Sequence, residues 1–304
     1  MTRALTRPLL ILAAFALGFL CPALGAYKGA VKYLLILMLY FSCVNIRLTE
    51  LRLRAAHWRI LAFNLLFAVV LWGALRLTAP RTIADACFFT AVAPTANAAP
   101  VIMGFLGGNV PFVVTAVLVT NLGIALAFTG LLPCVTGNFQ PAFLCKVTLD
   151  LLLVVGIPLL AAAATRRFYQ GREKLRKGLG QFSFLLWLGV LLILTASTAG
   201  VIRSGDGGLT IPQLLLIGLL SLVICAINFT VGGWLAGKEL RREGSQSLGQ
   251  KNTTFTVLFA HSYAGPAAAM GPAFYILWHN LWNGAQMLAH DLRARRKNTS
   301  TPNP

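Results

Sequence analysis

Hydroxyls, carboxamides and one ammonium interrupt two apolar stretches of this 304-residue chain. The first interruption is Ala93-Pro94-Thr95-Ala96-Asn97-Ala98-Ala99-Pro100, inside an apolar run from Ala84 to Leu106. The second is Gly249-Gln250-Lys251-Asn252-Thr253-Thr254, just ahead of Phe255–Ala260. Asn97 precedes Pro111 by 14 residues and Asn252 precedes Pro266 by 14, so the two points are 155 residues apart in register. Such side chains suit reversible binding of a small polar or ionic cargo. In lipid, freed backbone groups are tolerated only where protein or a water-filled cavity satisfies them. Paired interruptions at corresponding places therefore point to a transporter's binding site.

Pro94 and Pro100 remove two backbone donors and disfavour helix at the residues before them. The segment between them is expected to be extended, presenting Thr95 and Asn97 to a cavity. A half-helix beginning near Ala98 would aim its positive end at the occupant. A proline kink that only shapes packing explains one break, but not the pair. In the second break Gln250, Lys251, Asn252, Thr253 and Thr254 are the candidates. An ammonium at membrane depth is costly and is kept for a partner or a function. Lys251 thus attracts an anionic substrate or stands where a coupling cation would bind. Alternatively, it continues Lys238, Arg241 and Arg242 at the inner membrane edge and reaches for headgroups.

Other polar residues within apolar runs are Asn64, Thr120, Asn121, Asn228, His261, Ser262, His279, Asn280 and Asn283. Singly, each reads as an interhelical hydrogen bond; Asn64, Thr120 and Asn121 gain weight from expected nearness to the breaks. His261 and Ser262 are adjacent, yet no acid is placed to orient them as a hydrolytic pair. Carboxylates are nearly absent from the runs: Asp85 and Asp150 fall near outer ends, and the rest, Glu243 among them, in loops or tails. Sodium would then rest on neutral oxygens, a weaker arrangement than one with a carboxylate.

The elements that must hold these residues are helices in a bilayer. Hydrophobic residues make up 57% and charged residues 11%, with a mean hydropathy of +0.75, far from the ~25% charged usage of soluble domains. A crossing helix needs ~20 apolar residues, and no period-two alternation suggests a barrel. Ten runs qualify: roughly 8–26, 29–46, 60–79, 83–107, 110–136, 142–165, 182–202, 211–236, 247–264 and 267–289, the fourth and ninth broken. With the amino terminus inside, Lys28, Lys32, Arg76, Arg81, Lys146 and Arg203 fall outside and the other twenty of the 26 basic residues inside, as the positive-inside rule requires. The net charge of +18 flanks these runs instead of forming one patch, so lipid headgroups, not nucleic acid, are its counterpart. Six scattered cysteines show no metal-ligand spacing and read as small core residues. The first apolar run is long enough to be a retained helix, not a cleaved signal.

The expectation is an all-α polytopic membrane protein: ten transmembrane helices in two inverted five-helix repeats, 1–137 and 138–292, with helices four and nine discontinuous and crossing. Residues 293–304 are expected to be a disordered cytoplasmic tail, and both termini to lie on the cytoplasmic side of the cell membrane. Five spans per half is odd, so the second half enters from the opposite side, and the repeat interface near the midplane is where such folds bind substrate.

Ala93–Pro111, with its Ala-Pro-Thr break followed by Phe-Leu-Gly-Gly-Asn-Val, resembles the fourth-helix signature of the bile acid:sodium symporter family. Gly249–Asn252, the Pro-Ala-Ala-Ala-Met-Gly-Pro-Ala run and Leu277-Trp278-His279-Asn280 are similar to that family's ninth and tenth helices. The resemblance implies symport of an organic anion with sodium, through a core domain of spans 3–5 and 8–10 and a panel domain of spans 1–2 and 6–7. It places sodium ligands near Thr120, Asn121, Asn252 and Asn64. Two departures stand out: Ser247 occupies the family's acidic sodium-ligand position and Lys251 the position of a glutamine, so that a fixed lysine charge could replace one bound cation. The competing functions are a metalloid oxyanion exporter, which would want a cysteine at the breaks, a histidine-based intramembrane enzyme, and a non-transporting sensor or scaffold. The expectation is a transporter, not an enzyme, with no cofactor beyond a sodium ion.

Overall fold

A computed structural model describes residues 10, 13–44, 51–169, 173–204 and 209–299. Among them all regular structure is helical, apart from one isolated β-bridge. The helices are α1 (Ala13–Leu20), α2 (Val31–Val44), α3 (Ala55–Thr78), α4 (Arg81–Ala91), α5 (Ala99–Phe105), α6 (Val110–Thr136) and α7 (Pro141–Leu151). They continue as α8 (Ile157–Tyr169), α9 (Glu173–Ser204), α10 (Ile211–Ala236), α11 (Arg241–Gly249), α12 (Thr253–Tyr263) and α13 (Pro266–Thr299).

Helix boundaries follow local chemistry. Asn109 caps α6, its Oδ1 accepting from Phe112 N at 3.1 Å, and Pro111 sits in the first turn, where a missing N–H costs nothing. Gly137, at φ 73°, ends the same helix in a left-handed conformation that suits glycine. Thr210 and Gln213 form a reciprocal capping box at the start of α10. Between α7 and α8 the chain widens into a π-turn over Leu152–Gly156. Pro158 follows it, and its missing N–H prevents the regular hydrogen bond from being made there.

By length and composition α3, α6, α10 and the continuous stretch Pro141–Thr165 can each cross a membrane, and one bent pair brings the total to five. Large apolar side chains stand exposed along them: Leu77 is 88% exposed, Leu160 74% and Leu215 70%. Such exposed apolar faces are compatible with helices that cross a membrane. The bent pair, Ala13–Leu20 with Pro22–Met38, turns through 107°. The expected first span is therefore not one straight helix: Pro22 lacks the donor needed to continue α1, and the chain runs on as a 3₁₀ segment, Pro22–Ala30. The ninth expected span begins earlier than its apolar run, because α11 starts at Arg241, and Glu243 is buried in that helix instead of lying in a loop. The tail expected to be unstructured from 293 is helical to Thr299. Its Arg-Ala-Arg-Arg-Lys sequence forms helix readily and complements the negative helix end. Residues 300–304, the first nine residues, and Asp206 lie outside the described residues.

Two groups of helices pack mainly among themselves. One contains α3, α4, α6, α10, α11, α12 and α13, and the other contains α2, α8, α9 and the 3₁₀ segment. An aromatic chain, Phe88, Phe89, Phe128, Phe255 and Phe259, ties α4, α6 and α12 together, with ring centroids 4.6–6.3 Å apart. Backbones approach closely where Gly232 faces Gly244 (α10 on α11) and where Gly271 faces Ala86 and Thr90 (α13 on α4). A Cβ at any of these would collide with backbone or a packed side chain. Gly244→Val should lower stability by about 1–3 kcal/mol, whereas Gly130→Ala, with open space around it, should be neutral or stabilising by up to about 1 kcal/mol; thermal melts in detergent distinguish them.

Candidate functional site at the helix crossing

The two breaks meet. Thr95 pairs with Lys251 in the isolated antiparallel bridge, with Ala96 N donating to Gln250 O at 2.8 Å and Asn252 N to Pro94 O at 2.7 Å. Four helix ends, those of α4, α5, α11 and α12, converge there.

A helix end leaves carbonyls without intrahelical donors, and away from water each needs another. Beyond the end of α4 the carbonyls of Ala91, Val92, Ala93 and Thr95 are met from elsewhere in the chain. Asn64 of α3 donates through Nδ2 to Val92 O at 3.3 Å and Ala93 O at 3.0 Å. Lys251 Nζ donates to Ala91 O at 2.9 Å and to Asn64 Oδ1. Asn121 Nδ2 takes Thr95 O at 2.9 Å and Val117 O at 2.8 Å. Thr120 Oγ1 accepts from Thr95 N at 3.0 Å and donates to Thr95 Oγ1 at 2.9 Å. Thr95 Oγ1 in turn donates to Ser247 O, in α11, at 2.5 Å. Asn252 reaches Asn121 Oδ1 through Nδ2 at 3.4 Å and caps α12 by accepting from Phe255 N at 3.4 Å.

Six of the residues singled out in the sequence, Asn64, Thr95, Thr120, Asn121, Lys251 and Asn252, thus form one buried network. Lys251 is 2% exposed, and its ammonium is enclosed by protein at the crossing. Gln250 is also buried but turns to α13, where its Oε1 accepts from Asn283 Nδ2. Thr253 and Thr254 form the buried first turn of α12. Asn97 stands apart: neither Oδ1 nor Nδ2 has a partner among the described residues, although both atoms are buried. The stretch between the prolines is extended only to Thr95 and then turns, with Pro100 inside the first turn of α5. Proline is favoured in that first turn, which is why the break is shorter than its two prolines suggested. At seven residues, α5 carries a short dipole.

A second cluster was not legible in advance. Gln246 Nε2 donates to Asn283 Oδ1 at 2.9 Å and Gln286 Oε1 at 2.6 Å, while Tyr275 OH donates to Gly249 O at 2.8 Å. The available signal was spacing: Gln246 and Gln250 are four apart and Asn283 and Gln286 three apart, each pair on one helical face. Glu243 Oε1 accepts from Asn109 N at 2.8 Å, fixing α11 to the turn before α6; nothing in its sequence neighbourhood announced that.

No group of three or more His, Cys, Asp or Glu that could hold a metal occurs among the described residues. Thr120, Asn121 and Asn252, the expected sodium ligands, lie together, but their hydrogen bonds run to one another and to backbone. Between the two helix groups lies a cavity of about 270 Å³, lined by Lys28, Lys32, Leu194, Val257, His261 and Met270 among others. Lys28 Nζ is 3.4 Å from His261 Nε2, and Lys32 pairs with Asp150, which also accepts from Tyr263 OH at 2.7 Å. The site combines a cationic wall with an apolar floor.

No family model matches the chain, and no curated protein matches it.

Asn64→Leu would strand two carbonyls and the Lys251 ammonium, and is expected to cost about 3–5 kcal/mol. Adding Lys251→Met should restore part of that loss, giving a coupling of about 1–3 kcal/mol in a double-mutant cycle read by thermal unfolding.

Proposed function

We propose that the chain is a secondary transporter that moves a small organic anion across the cell membrane by alternating access. The observation carrying this reading is the antiparallel contact of two helix breaks, Thr95 on Lys251, whose corresponding points Asn97 and Asn252 are 155 residues apart. Discontinuous helices meeting at mid-protein are how transporters present backbone and amide groups to a cargo inside a bilayer. On this reading the ten expected spans form two inverted five-helix repeats, and the chain is a member of the bile acid:sodium symporter family. The group of α3, α4, α6 and α10 to α13 acts as the core, and the group of α2, α8 and α9 as the panel. Both termini face the cytoplasm, and the partners are the anion and the surrounding lipid.

Substrate chemistry follows from charge. The cavity between core and panel has Lys28, Lys32 and His261 on its walls, and Asp150 neutralises Lys32. Among the described residues no carboxylate pairs with Lys28. A positive, low-dielectric cleft concentrates anions, and Val257 and Met270 accept an apolar body. A scaffold would need neither that cleft nor breaks that face each other.

Asn97, whose polar atoms have no partner among the described residues, is one of the side chains at the crossing left to meet cargo. Asn97→Leu should leave the melting temperature of the empty protein nearly unchanged while abolishing the thermal shift given by a transported carboxylate. Proteoliposome uptake of labelled carboxylates tests the reading itself. Absence of uptake across a broad anion panel, with a stably folded protein, would remove it.

A further inference from the structure

We infer that the Lys251 ammonium is a resident cation: it permanently fills the position between Asn64 and the end of α4 that a mobile monovalent cation would otherwise occupy. The proposal deepens the transporter reading, on which its consequence for coupling rests.

The position has the makings of a cation site. Ala91 O belongs to the last turn of α4, where the helix dipole is negative. Asn64 turns its Oδ1 to the same point, because its Nδ2 is committed to Val92 O and Ala93 O. The orientation of that carboxamide is therefore fixed by the helix break itself. Carbonyl and amide oxygens converging at a helix C-terminal end are what an alkali cation requires. Here they hold Nζ instead. Among the described residues, no carboxylate pairs with Lys251, so its charge is balanced by dipoles alone. A buried lysine without a carboxylate is expensive unless its site was shaped for positive charge.

Two consequences follow for transport. A tethered ammonium cannot leave, so the crossing is held together in every state of the cycle without an ion from solution. Thr120, Asn121 and Asn252 belong to the same buried network as this fixed positive charge, and like charge opposes a second cation there. Anion movement should accordingly proceed with sodium absent.

Removing the tether should uncover the site. The purified wild-type protein should melt at the same temperature in sodium chloride and in choline chloride. Lys251→Ala should melt roughly 5–10 °C lower in choline and recover at least half of that loss in sodium or methylammonium chloride, which fit the vacated space where choline does not. Lys251→Gln, which retains an uncharged donor and more of the side-chain volume, serves if the alanine variant does not fold, and it should acquire stabilisation by sodium that the wild type lacks. A wild-type protein stabilised by sodium over choline overturns the inference. So does a folded variant indifferent to all three cations. These readouts do not depend on transport. Cation rescue with no anion uptake would leave the resident cation standing and the transporter reading refuted, whereas sodium-free uptake without rescue would do the reverse.

Discussion

The constraint on which the rest of the structure depends is the need to satisfy backbone groups where no water reaches them. Breaking α4 at Ala91 and α11 at Gly249 frees carbonyls and amides in the interior of the protein. The bridge between Thr95 and Lys251 pairs two of those sets with each other, and side chains of Asn64, Thr120, Asn121, Lys251, Asn252 and Tyr275 meet further backbone groups. In a low-dielectric interior an unmet carbonyl costs about 1–3 kcal/mol, so a break at one helix alone would be a defect. Two breaks in contact make a polar centre whose members hold one another in place. The aromatic contacts of Phe128 with Phe89, Phe255 and Phe259 clamp the same helices on the apolar side.

Functional capacity follows from what that arrangement leaves over. Most polar groups at the crossing are committed to the fold, yet Asn97, Ser247 Oγ and Gln246 Oε1 keep buried polar atoms without partners. Such atoms are retained for an occupant or a water. The cationic cavity between the two helix groups draws its residues from the 3₁₀ segment, α2, α9, α12 and α13. Tyr263 on α12 reaches Asp150 on α7, and Asp150 in turn pairs with Lys32 on α2, so the two helix groups are joined through that carboxylate. Relative movement of the groups would have to exchange that bond for another.

Much of this was legible in the sequence because long apolar runs and polar breaks leave few helical solutions. Helix extents such as Val110–Thr136 and Ile211–Ala236 coincide with the apolar runs, since a run bounded by Asn-Val-Pro or Thr-Ile-Pro has one sensible start. The breaks were visible as proline and polar residues where none should be. What escaped notice depends on three-dimensional neighbours. Pro100 looked like part of the break, but in the first turn of α5 it is helix-compatible. Lys251 resembled the basic residues just before it, and only the fold shows its ammonium turned inward to Asn64. Gln246 and Gln286 are ordinary in sequence, and they form a cluster with Asn283 only because Gln246 on α11 bonds to both residues on α13. The 107° bend after α1 was hidden by an apolar run that reads through Pro22 without pause.

The contact between the breaks can be measured without disturbing Lys251. Ala96 and Gln250 lie opposite each other, one donating and the other accepting a 2.8 Å backbone hydrogen bond. Antiparallel residues so placed have Cα atoms about 5.5 Å apart, inside the range a disulfide spans. In a background freed of the six native cysteines, Ala96→Cys with Gln250→Cys in native membranes should cross-link nearly completely under a membrane-permeant oxidant. A folded double variant in which these cysteines stay reduced, while cysteines one turn apart on the continuous helix α10 behave as expected for a helix, would contradict the crossing.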